Sequence, residues 1–104
     1  MYSLPNLYLL ILSNKLLNLR LINIHNKSIN MELNIDDLYI ILYPEYIKLE
    51  NKHNNIISII RYNHQIKKLS YISNVDFFDD NTFTKNKYGY NYNDIYTIDE
   101  INIT

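Results

Sequence analysis

The sequence predicts a mainly β protein: a small antiparallel β domain built from hairpins, with one or two short helices. Three observations predict it. Ile29, Met31, Leu33 and Ile35 alternate with Asn30, Glu32 and Asn34, the period-two pattern of a strand with one buried face. Asp36-Asp37 interrupts the pattern as a turn would, and a second apolar run, Leu38 to Tyr43, stops at Pro44, which cannot donate to a sheet ladder. Further along, Ile56 to Tyr62 and Gln65 to Ile72 flank Asn63-His64, a two-residue turn candidate, since asparagine tolerates positive φ. The central object, from Lys27 to Leu49, therefore reads as a β-hairpin followed by a short Pro-initiated turn or helix.

The remaining elements follow in chain order. Leu4 to Leu12 is almost continuously apolar. It is shorter than the roughly twenty residues a bilayer span needs, so no membrane span is expected. Nor does it read as a signal peptide, having no basic n-region and no A-x-A-like cleavage site. Ser3 can cap a helix carrying Pro5 in its first turn, with Leu4, Leu7, Tyr8, Ile11 and Leu12 on one face. Residues 1–16 are thus expected to hold a docking helix, with a buried strand as the competing reading. Leu17, Leu19 and Leu21 alternate with polar neighbours, then Ile22 and Ile24 fall on the opposite parity, which a bulge near Leu21-Ile22 would reconcile. Leu17–Ile24 should pair with Ile29–Ile35 across the turn His25-Asn26-Lys27-Ser28. Pro44-Glu45 resembles a helix start, and Glu50 to Asn55 a polar loop. Val75, Phe77 and Phe78 suggest a brief strand closed by Asp79-Asp80-Asn81. Thr82 to Asn93, around Gly89, reads as a wide loop or an irregular edge hairpin. Asp94 could cap a last helical turn bearing Ile95, Ile98 and Ile101.

One hundred and four residues form one domain, residues 1–104, with a single core. A hydrophobic fraction of 47% against 20% charged places the chain among globular sequences rather than disordered ones. The formal net charge of -1 argues against a general polyanion binder. With no cysteine, disulfides, thiolate nucleophiles and cysteine-based zinc sites are excluded, and an intracellular location fits. Isoleucine, asparagine, leucine, tyrosine and lysine crowd the chain, alanine is absent and glycine occurs once. These are the residues of AT-rich codons, so the richness in asparagine and tyrosine is attributed to an AT-biased genome such as that of a parasite, an organelle or a virus.

No catalytic constellation emerges. His25, His53 and His64 fall in separate predicted turns, and the pairs Asp36-Asp37 and Asp79-Asp80 suit turn positions by their Asx chemistry. A single glycine rules out nucleophile elbows and phosphate-binding glycine loops. The expectation is a protein that is not an enzyme and uses no cofactor or metal. The best candidate interaction surface lies on the hairpin after residue 56: Arg61, Tyr62, His64, Lys67, Lys68 and Tyr71. Interleaved aromatics and cations of this kind can stack bases and neutralise phosphates, while a solvated hairpin face is the plainer reading.

One resemblance is carried by Ile22, Ile24, Lys27, Ser28, Met31, Glu32, Ile35, Asp36 and Asp37, then by Leu42, Glu45, Tyr46, Ile47 and Lys48. This succession of strand, acidic turn and strand running into L-Y-P-E-Y-I-K resembles the small β domain at the N-terminus of gamma-butyrobetaine hydroxylases, whose pattern there is L-P-x-E-(Y/W)-L-R. That domain also occurs alone and fused to iron–sulfur carrier P-loop ATPases. Phe78-Asp79-Asp80 and the segment from Tyr88 to Ile98 are similar to the family's second acidic turn and aromatic closing segment. The chain lacks the glycine that follows each acidic turn in the family, and it has no cysteine for the zinc site of the hydroxylase branch. The resemblance implies a non-catalytic accessory domain linked to iron–sulfur protein assembly, without a metal of its own. The expected function is therefore a binding or accessory domain with a protein partner, RNA ranking below it. The alternative is a small structural subunit of a larger assembly, such as an organellar or parasite ribosome.

Overall fold

The computed structural model describes residues 3–75 and 95–103. Of the strand expected at Val75, Phe77 and Phe78, Val75 ends the strand Lys68–Val75, and the rest lies outside the described residues, as do the turn at Asp79-Asp80-Asn81, the segment from Thr82 to Asn93 and the cap at Asp94. The chain forms one short helix, α1 (Leu4–Leu12), and seven strands: β1 (Leu16–Ile22), β2 (Ser28–Asn34), β3 (Leu38–Leu42), β4 (Tyr46–Asn51), β5 (Ile57–Asn63), β6 (Lys68–Val75) and β7 (Ile95–Ile103). They make one sheet in the order β2-β1-β7-β6-β5-β4-β3, with every neighbouring pair antiparallel.

That order dictates the shape. Stepping across six antiparallel pairs leaves β2 and β3, the two ends of the order, running in the same direction. Between them stands only a 3₁₀ turn, Ile35–Asp37. A flat sheet of this order would separate its outer strands by about 29 Å at the usual strand spacing, whereas the link from Asn34 to Leu38 reaches at most about 14 Å. The sheet must therefore curl into a barrel. Its two outer strands become successive halves of one bent strand, the first half paired to β1 and the second to β4.

This corrects the expected central hairpin. Asp36-Asp37 bends the chain without reversing it, so Ile29–Ile35 and Leu38–Tyr43 do not pair. The positive-φ residues that tight hairpins need are Asn26, Asn55 and Lys67, none of them at this bend. Instead the Asn34 side chain accepts a hydrogen bond from the Asp36 N–H at 3.1 Å, and the Asp37 carbonyl accepts one from the Lys52 N–H at 2.9 Å.

The inward positions supply the core. Leu17, Leu19 and Leu21 of β1, Ile47 and Leu49 of β4, Ile60 of β5, Leu69 and Tyr71 of β6 and Ile98 of β7 are buried together with Ile35. Ile29, Met31 and Leu33 share this face, since they stand opposite Leu21, Leu19 and Leu17, and Asn30, Glu32 and Asn34 are exposed as expected. Their burial is incomplete, however: Met31 and Leu33 are half-buried and Ile29 is exposed, because β2 is paired on one side only among the described residues. A smaller outer cluster buries Tyr46, Ile59 and Ile72.

Helix α1 forms as its sequence directs. The Ser3 hydroxyl caps the Asn6 N–H at 3.3 Å, Pro5 sits in the first turn, and the helix ends at Ser13. Leu7 and Ile11 enter the core completely, Leu4 and Tyr8 lean on it, and Leu12, expected on the same face, is exposed. The helix packs against β3 and β4. Among the described residues no helix is long and apolar enough to cross a membrane.

Four further expectations are corrected. Pro44-Glu45 opens no helix: it is the β3–β4 turn, closed by Tyr43 N–H donating to the Tyr46 carbonyl at 2.9 Å, and Tyr46–Asn51 is strand because Ile47 and Leu49 face Leu42 and Ile40. The bulge lies in β7 rather than at Leu21-Ile22. Arg20 pairs Glu100 while Leu21 pairs Ile98, leaving Asp99 as the extra residue, and Ile24 is simply exposed in the β1–β2 turn. The β5–β6 connection is longer than Asn63-His64, running from Asn63 to Lys67 with the Lys67 N–H donating to the Asn63 carbonyl at 2.8 Å. Finally, Ile95–Ile103 is strand, not a helical turn; the bulge puts Ile98 and Ile101 three residues apart on one face of a strand, a spacing that imitates a helix.

Truncating Leu19 to alanine, fully buried and paired on both sides, should cost about 2–5 kcal/mol. Leu33→Ala, on the half-buried strand beside it, should cost roughly 1–2 kcal/mol because part of its surface already meets water. Chemical denaturation of the two variants measures the difference, and equal losses would mean that β2 is as enclosed as β1.

Candidate interaction surface

The β5–β6 hairpin carries the six residues that the sequence singled out, and strand alternation divides them. Arg61 pairs Ser70 and Lys68 pairs Asn63, which places both cations on the outer face. Tyr62 and Tyr71 point the other way, toward the core. Tyr71 is buried, with only 4% of its surface accessible, so it stacks on nothing outside the protein. His64 and Lys67 are exposed in the turn.

Asparagine chemistry builds that turn. The Asn63 Oδ1 accepts N–H bonds from Gln65 at 2.9 Å and Ile66 at 3.4 Å, while Lys67 closes the loop at φ 56°. Asn23 and Asn51 do the same in the β1–β2 and β4–β5 turns, each accepting the N–H two residues on at 2.9 Å, ahead of Asn26 and Asn55 at positive φ. His64 meets Tyr62 edge-on, ring centroids 4.9 Å apart.

Arg61, Tyr62 and His64 come together with residues that sequence reasoning did not connect to them. They line a cleft of about 350 Å³ with Leu4 of α1 and with Pro44 and Glu45 of the β3–β4 turn. The pairing of Tyr46 with Arg61 sets the Pro44-Glu45 turn beside the end of β5. Strand directions put the starts of β1, β4 and β6 and the ends of β3 and β5 at this end of the barrel, where α1 also enters. Lys67, Lys68 and Tyr71 do not line the cleft. The cleft offers apolar and aromatic side chains and charges of both signs, the mixture that suits a peptide segment better than a run of phosphates.

A second depression, about 590 Å³, lies across the outer faces of β2, β1 and β7. Asn18, Arg20, Asn30, Glu32, Glu100 and Asn102 make it mainly polar, with Leu19 and Met31 also lining it, and Arg20 approaches Asp99 at 3.5 Å. Exposed pairs of this kind contribute little stability.

The histidines stay apart, each in its own turn. Among the described residues His53 alone meets a carboxylate, its Nε2 lying 3.2 Å from an Asp37 oxygen, while Lys52 donates to the Asp36 carbonyl at 3.1 Å and lies over the Tyr39 ring. Among the described residues no group of three or more histidine, cysteine, aspartate or glutamate side chains could hold a metal ion. Comparison with family models, with curated proteins and with solved structures returns no match to this chain.

Inside the hairpin, Tyr71 has a perturbed phenol. Burial pushes its pKa above the ordinary 10.0, a hydrogen bond shared with Ser58 opposes the rise and Tyr96 adds to it. The folded state thus holds this proton more tightly than the unfolded chain does. The Tyr71 contribution is complete below the unfolded value and is lost as pH climbs from about 10 toward the raised one. Stability of the native protein should fall in that alkaline window. Tyr71→Phe should flatten the decline, as equilibrium denaturation at a series of pH values would show. An unchanged slope would place the ionisation elsewhere.

Calorimetric titration with zinc and with manganese should give no stoichiometric event, because the histidines sit in separated turns. Saturable binding lost on replacing His25, His53 or His64 would contradict this arrangement.

Proposed function

We propose that this protein is a non-catalytic binding module that takes a protein partner at the α1 end of its barrel. One observation carries the reading: the cleft of Leu4, Pro44, Glu45, Arg61, Tyr62 and His64 gathers apolar, aromatic and oppositely charged groups from three separate parts of the chain. The barrel interior is filled by its own leucines and isoleucines, which turns recognition toward the outside. Leu9 and Leu12, on the face of α1 turned away from the core, are 61% and 49% exposed and add apolar surface to the helix whose Leu4 lines the cleft.

The finer reading, an accessory role in iron–sulfur protein assembly, rests on the resemblance carried by the sequence from Ile22 to Lys48 and by Phe78-Asp79-Asp80 and Tyr88 to Ile98. The alternative, a small structural subunit of a larger assembly such as an organellar or parasite ribosome, draws on Lys67 and Lys68, which stand exposed.

A photoreactive side chain placed at His64, with one at Asn18 on a different face as control, tests the proposal in cells. A single protein adduct specific to position 64 is expected, and its loss in an Arg61→Glu background would tie it to the cleft. An iron–sulfur carrier ATPase in that adduct supports the finer reading. Transfer to RNA instead would overturn the protein-partner reading. In that case binding should weaken with salt at a log–log slope near −2, the value for about three phosphate contacts on a single strand, and fail on charge reversal of Lys67 and Lys68.

A further inference from the structure

We propose that β2 is a self-pairing edge, and that two copies of this chain associate antiparallel along it about a twofold axis at Met31. The proposal goes beyond the cleft and is independent of it. Its first ground is the hydrogen-bond phase. The Asn23 N–H donates to the Lys27 carbonyl at 3.0 Å and the Ile35 N–H to the Lys15 carbonyl at 2.9 Å, on either side of the β1–β2 ladder. Residues joined in this register are the hydrogen-bonded pairs, so by alternation Ile29, Met31 and Leu33 direct their backbone groups to β1. Ser28, Asn30, Glu32 and Asn34 then direct theirs away from it. Among the described residues nothing pairs with β2 on that side.

The second ground is that, among the described residues, the two ends of the sheet order differ in what adjoins them. β3 has α1 packed against it and Pro44 just beyond its last residue. β2 carries no proline and no lysine within its span, the devices that ordinarily keep an edge from pairing. Ile29, on its inward face, is 41% exposed, and Met31 and Leu33 are half-buried beside it.

The third ground selects the occupant. With the axis at Met31, Ser28 faces the partner's Asn34 and Asn30 faces the partner's Glu32. Each of these pairs uses the outward backbone groups and exchanges two hydrogen bonds. On the inward face Ile29 meets the partner's Leu33 and Met31 meets itself, so apolar side chains continue the core of one copy into the other. Glu32 is the only charged residue of the strand, and this register sets it opposite an amide rather than opposite its own copy. A parallel in-register arrangement would stack Glu32 on Glu32. The strand is complementary to itself in backbone, apolar pattern and charge, and the occupant it fits is a second copy, in the isologous manner of most homodimers.

Sedimentation of the full chain over a dilution series tests this with three variants, all at exposed outer-face positions that leave the bonds to β1 intact. The unmodified protein should dimerise reversibly. Asn30→Glu sets like charges directly across the interface twice and should weaken the dimer roughly 2- to 30-fold. Asn30→Glu combined with Glu32→Lys makes both contacts attractive and should restore it. Asn30→Pro removes an outward N–H and should abolish the dimer, with circular dichroism showing the sheet retained. A chain that stays monomeric at every concentration overturns the proposal. So does a dimer that ignores the charge exchange.

Discussion

The structure depends on one passage of the chain: the step from β2 to β3 through Ile35–Asp37 without a reversal of direction. Had the chain turned back at Asp36-Asp37, β3 would have paired with β2 and the meander would have run on as an open sheet. Because it bends instead, β3 starts a new ladder with β4 on the opposite side. The strands that follow travel round until β7 meets the free side of β1. Closure is the consequence of that bend, and the bend is held by short polar contacts. Asn34 caps it from before, Lys52 reaches it twice from the β4–β5 turn, and His53 lies against Asp37. Ile35 anchors it by entering the core.

Closure also explains how so short a chain obtains a core with one glycine and no alanine. A two-layer sandwich would need side chains of varied volume to interdigitate. A small barrel takes inward leucines and isoleucines from every strand and needs only one extra element to close an end. Leu7 and Ile11 of α1 provide it. The asparagines abundant in the sequence are put to physical use at the rim. Asn23, Asn51 and Asn63 each bond the turn amides that follow, and Asn26 and Asn55 take the left-handed backbone that glycine would ordinarily supply.

Much of the local structure was legible because it is written in nearest neighbours. The cap at Ser3, the alternation in β1 and β2 and the hairpin around Asn63 all depend on residues a few positions apart. Direction was not legible at Asp36-Asp37, where a reversal and a bend share the same acidic, polar pair; the difference lies in Lys52, sixteen residues away from Asp36. The end of the chain misled for a similar reason, since a bulge at Asp99 gives Ile98 and Ile101 a helical spacing inside a strand. At the candidate surface, Arg61, Tyr62 and His64 could be found together because the sequence lists them together. Leu4, Pro44 and Glu45 could not, because only closure brings them to the same end. Tyr71 was grouped with the cations by proximity, although strand parity already sets it with Tyr62 on the inward side.

The same bend makes the two ends of the sheet order unequal. Each half of the bent strand has one paired side and one side turned from its ladder, and those free sides fall at different places around the barrel. α1, which precedes β1 in the chain, packs against β3 and β4. No described element reaches the side belonging to β2, since the β1–β2 turn is short and the chain leaves β2 directly into the bend. The order of elements along the chain, rather than the composition of either strand, thus decides that the helix packs on β3 and that, among the described residues, β2 is paired with β1 alone.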